Sequence, residues 1–231
     1  MDLPVTEASQ PQGGAYGEAE DGPWLVDLAS PLLSEPAVLA LLEDPARPDR
    51  LAWNTFRTLA LWDTDAWVPS LLEVACGDEN PLSPVEWGGG SVVPWGASLG
   101  MGDICDVVLD GPEALVLVAC TARPDPPEEQ LRAAVVAALE ASLRGGREAG
   151  VVLVAPPGSD HLLSRLEVAA DVQLHDGRLA GDLLAGALGW VSWPELGRIA
   201  LDLAEESDPN AAGQVNQLVS ELQLRFPGER L

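Results

Sequence analysis

A chain of 231 residues, nearly half of them apolar, can bury a full core and fits one α/β domain with a tail better than two small domains. Its net charge is −25, spread so that every quarter of the chain is negative, which repels phosphate backbones and argues against autonomous nucleic-acid binding. No apolar run is long enough to span a bilayer and no charged-then-apolar leader opens the sequence, so a soluble, cytoplasmic protein is expected.

Residues 1–22 are rich in Gly, Pro, Gln, Glu and Asp and predict a disordered acidic tail, leaving 23–231 as a single α/β domain. Ser34, Glu35 and Pro36 read as the cap and first turn of a short helix ending near Leu42. Apolar residues at Leu51, Trp53, Phe56, Leu59, Ala60 and Trp62, then at Trp67, Leu71, Leu72 and Val74, predict two amphipathic helices broken around 63–65. Residues 78–100, with repeated Pro and Gly, read as a long structured loop. Its glycines at 88–90 lack the flanking residues of a phosphate-cradling motif.

The stretch 102–121, GDICDVVLDGPEALVLVACT, predicts two apolar strands around a tight turn at Asp110 and Gly111. Asp106 stands at the mouth of the first strand, Ala119 and Thr121 at the far end of the second. A helix over 128–144 carries Leu131, Val135, Leu139 and Leu143 at every fourth position and stops at Gly145 and Gly146. Residues 151–156 read as a buried strand, 159–169 as a short helix, and 172–174 as a short strand turning at Asp176 and Gly177. Ser192, Trp193, Pro194 and Glu195 form a capping box opening a helix through Leu196, Ile199 and Leu203. Asp208 and Pro209 open a last helix with Val215, Leu218, Leu222 and Phe226 inward. Helices between strands require crossovers, so the expected fold is α/β, with a central mixed sheet of four or five strands flanked by helices on both faces.

Cys76, Cys105 and Cys120 have no metal-ligand spacing and read as reduced core thiols, while His161 and His175 are isolated. Of the eight tryptophans, Trp53, Trp62 and Trp67 fall on helical apolar faces. Trp87, Trp95 and Trp193 lie near loops or caps and are the candidates for a partner-binding surface.

The 102–121 hairpin resembles the metal-binding hairpin of the PD-(D/E)XK nuclease superfamily, in which an Asp opens one strand and Glu-x-Lys closes the next. Three further passages are similar to one bacterial branch of it: RLAWNTFRTL to its opening helix, EEQLRAA to the Gln-bearing helix after the catalytic strand, and LGWVSWPEL to a late strand-to-helix passage. The resemblance spans about residues 49–205 and implies a restriction-endonuclease-like fold. It matches Asp106 to the hairpin Asp and Gln130 to the helix Gln, and puts Asp49 near where an N-terminal acid would approach the metal. Ala119 and Thr121 then stand where the Glu and Lys belong. All twelve basic residues are Arg, so no Lys can enter from elsewhere. A lone carboxylate binds Mg2+ poorly.

The expectation is therefore a catalytically inactive nuclease-fold protein, without cofactor, that binds another protein in a DNA-processing or defence assembly, with homodimerisation left open. One alternative is a metal-dependent nuclease using Mg2+ in a rearranged site of Asp49, Asp103, Asp106 and Glu113, with Arg replacing Lys. Another is an acidic inhibitor that mimics DNA.

Overall fold

The computed structural model describes residues 48–94, 107–121, 123–173, 178–205, 209–229 and 231. The expected 1–22 tail, the 34–42 helix, the cap at Asp208 and the turn at Asp176 and Gly177 lie outside them.

Among the described residues two helices come first, α1 (Pro48–Leu59) and α2 (Thr64–Cys76), separated where the sequence places its break. The Asp63 carboxylate accepts the Asp65 N–H at 3.4 Å, satisfying one of the donors that α2 leaves open, and Gly77 closes the helix at φ 86°. The following loop is organised by Asn80, whose amide donates to the Gly77 carbonyl and the Ser83 hydroxyl, both at 2.7 Å. Its Oδ1 accepts from Leu82 N at 3.1 Å. The loop ends in a strand that sequence patterning missed, β1 (Ser91–Pro94).

The hairpin is present as β2 (Val107–Asp110) and β3 (Ala114–Cys120), antiparallel, with Val107 opposite Val118 and Asp110 opposite Leu115. After it come α3 (Glu128–Gly145), β4 (Glu148–Ala155), α4 (His161–Ala169), α5 (Ala180–Leu183), β5 (Leu188–Ser192), α6 (Trp193–Glu205) and α7 (Pro209–Arg225). Of the expected 172–174 strand, the described residues show a bridge between Gln173 and Leu179, and residue 174 lies outside them. The strands lie in the order β1-β2-β3-β4-β5, antiparallel from β1 to β3 and parallel from β3 to β5. The sheet is thus mixed because a hairpin meander is followed by two helical crossovers.

Alternation along the strands builds a separate core on each face. Val107, Leu109, Val116 and Val118 pack with Phe56, Trp67, Leu196 and Leu218 from α1, α2, α6 and α7. Val108, Leu115, Leu117 and Ala119 pack with Leu131, Val135, Leu139 and Leu166 from α3 and α4. Leu143 does not join them and is 56% exposed. A fourfold spacing drifts about 40° per step around a helix of 3.6 residues per turn, so the third step leaves the buried face. At the far end of the first layer, a buried polar contact joins α1 to α7. The Asn54 amide donates to Glu221 at 3.0 Å, and Arg225 pairs with the same carboxylate at 2.8 Å.

Candidate functional site

The two ends of the hairpin differ in what their residues do. At the turn, Gly111 N donates to the Ala114 carbonyl at 2.9 Å, and Arg147 at the entry of β4 donates to Asp110 Oδ1 at 2.5 Å and to Gly111 O at 2.8 Å. A Cβ on Gly111 would meet the Trp87 ring at 2.8 Å, so the turn needs glycine for close packing. This end is closed by structure.

At the other end, Ala119 is the next-to-last residue of β3 and Thr121 stands just beyond the strand. Ala119 is 3% exposed, its methyl in the apolar cluster under α3. Thr121 continues the pairing with β4 through its N–H to Val154 O at 2.8 Å. Its hydroxyl accepts from Arg123 N at 3.0 Å and donates to Arg123 O at 3.1 Å, forming a local turn. Beyond it, Arg165 on α4 ties down the loop by pairing with Asp125 and donating to Pro126 O at 2.9 Å. Gln130 lies in the first turn of α3 with its side chain in solvent.

Asp103, Asp106 and the Asp49 side chain lie outside the described residues. Glu113 is exposed next to the turn, six residues from Ala119 and so on the order of 20 Å away along the strand. The structure does not bring Glu113 to the far end of the hairpin. Among the described residues, no group of three or more His, Cys, Asp or Glu could hold a metal ion. A methyl and a hydroxyl spent on its own backbone offer a divalent cation no carboxylate, so positions 119 and 121 do not fit one.

Two tryptophans are corrected. Trp87 and Trp193 are 1% and 0% exposed, and neither ring can meet a partner. Each is an internal pin. The Trp87 ring lies against the hairpin turn and its carbonyl accepts from Thr64 Oγ1 at 2.5 Å. Trp193 Nε1 donates to Thr121 O at 3.0 Å, joining the start of α6 to the end of β3. Trp95 lies outside the described residues. Of the cysteines within them, Cys120 is buried at the end of β3 and Cys76 is half-buried at the end of α2, where burial pushes its thiol pKa up to about 11. What the motif-centred reading missed is a cleft between α2 and α6. Its sequence signal is Ala66 and Ser70, small residues one helical turn apart on an exposed face.

Comparison with models of protein families, with curated proteins and with solved structures yields no match. Among the described residues, no helix is long and apolar enough to cross a membrane.

Proposed function

We propose that the chain is a catalytically inactive, restriction-endonuclease-like protein that works by binding another protein in a DNA-processing or defence assembly. The observation that carries this reading is the far end of β3. An antiparallel hairpin holds, at the two positions that the resemblance matches to the catalytic acid and Lys, a buried methyl and a threonine engaged with Arg123. The order of elements supports the kinship: RLAWNTFRTL falls in α1, EEQLRAA opens α3, and LGWVSWPEL runs from β5 into α6.

In a phosphodiesterase of this kind the metal acts as Lewis acid while the ammonium positions water and offsets phosphate charge. Position 119 supplies no second carboxylate, the chain has no Lys, and Arg147 beside the hairpin turn is held by Asp110. The test is a cleavage assay on single- and double-stranded DNA and RNA in Mg2+ or Mn2+, with the Asp106→Ala variant as control. No cleavage above the control is expected. Cleavage that disappears with Asp106→Ala sinks the proposal and favours a rearranged metal-dependent nuclease.

A further inference from the structure

Between α2 and α6 lies a cleft of about 200 Å3 lined by Ala66, Ser70, Ile199, Asp202 and Leu203. We infer that it is a docking site for a basic amphipathic helix of a partner protein, which seats one aliphatic side chain against Ile199 and Leu203 and sets a cation beside Asp202. The inference rests on the protein-binding reading above and names the partner's chemistry.

Size decides against a small molecule. Ligand and cofactor pockets generally start at about 300 Å3, whereas a cleft of this volume accepts a single anchoring side chain. Such anchors in a local pocket are how a helix grips a groove. The α2 wall is suited to close approach because Ala66 and Ser70 are exposed and one turn apart, leaving a gap that larger side chains would fill.

Charge decides the partner's sign. The Asp202 carboxylate is exposed and, among the described residues, has no side-chain hydrogen bond or ion pair. Asp202 is the acid of the lining; Glu73 on α2 and Glu205 on α6 are exposed outside it and the Asp65 carboxylate stands beside Gly88, while α2 has no basic residue and Arg198 on α6 is already engaged. A second copy of a chain with net charge −25 would meet this face with repulsion, and a nucleic acid more so. A Lys- or Arg-bearing helix is attracted.

The test is fluorescence anisotropy of the full chain with three labelled synthetic peptides: a Leu/Lys amphipathic helix, its Leu/Glu counterpart, and a Leu/Lys peptide scrambled to destroy the apolar face. The amphipathic Leu/Lys helix should bind best. Ser70→Trp, which fills the cleft from an exposed position, and Asp202→Arg should each weaken it by at least about tenfold. Asp182→Arg, an exposed charge change on α5, should leave it within about twofold. Equal binding of the scrambled peptide, indifference to Ser70→Trp, or no binding at all overturns the cleft. Such a failure leaves the inactive-nuclease reading to its cleavage assay, which these variants do not touch.

Discussion

At Cys76 the thiol sits at the end of α2 so close to β5 that a Cβ on Gly189 would come within 2.5 Å of its sulfur. Desolvation disfavours the thiolate and raises the pKa from 9.0 to about 11. The neutral thiol is therefore accommodated fully below pH 9, and its contribution to stability is lost as pH rises from about 9 through about 11. At pH 8 the thiolate fraction should be about 100-fold below that of an ordinary cysteine. Peptide mapping after iodoacetamide treatment should find Cys76 labelled far more slowly than in the urea-unfolded chain; equal rates would show the thiol to be open to solvent. Residues near loops were the least legible in the sequence. Trp87 and Trp193 look like surface anchors because loops and caps flank them, yet both are buried by elements distant in sequence, the hairpin turn and the end of β3.

Elements with a local cause were legible. The hairpin follows from two apolar runs around Asp110 and Gly111, and α6 from its capping box, in which Ser192 N donates to Glu195 at 2.8 Å and Glu195 N donates to Ser192 Oγ at 3.3 Å. Strand β1 was not legible, because four residues between glycines and prolines become a strand only by pairing with β2, Ser91 opposite Asp110. The packing of α2 on β5 was equally hidden. A Cβ at Gly189 would also stand 2.5 Å from the Ala75 carbonyl oxygen, a backbone atom that cannot swing aside. Gly189→Ala should cost about 1–3 kcal/mol by overpacking. Urea unfolding followed by circular dichroism should show the lower midpoint, and an unchanged midpoint would mean that α2 does not approach β5 so closely.

For the whole molecule, the sequence led to an α/β mixed sheet with helices on both faces because strand and helix periods alternate clearly after residue 107. Charge was legible too, but only as a sum; that Asp202 lines a cleft depends on how α2 and α6 meet. The far end of the hairpin was legible in part: Ala119 and Thr121 were identifiable by position, while the burial of one and the turn around the other are products of packing and local hydrogen bonding. The proposed function rests on reading this hairpin as a nuclease metal site whose acid and Lys have been replaced. The most direct measurement is thermal unfolding of the double variant Ala119→Glu with Thr121→Lys, with and without Mn2+. A carboxylate placed in the apolar cluster should lower the melting temperature without metal. Saturating Mn2+ at about 100 times its Kd should restore about 2.7 kcal/mol, a rise on the order of 5–10 °C, and Asp106→Ala in the same background should abolish that rise. A double variant indifferent to Mn2+, or one whose rise survives Asp106→Ala, would contradict the account.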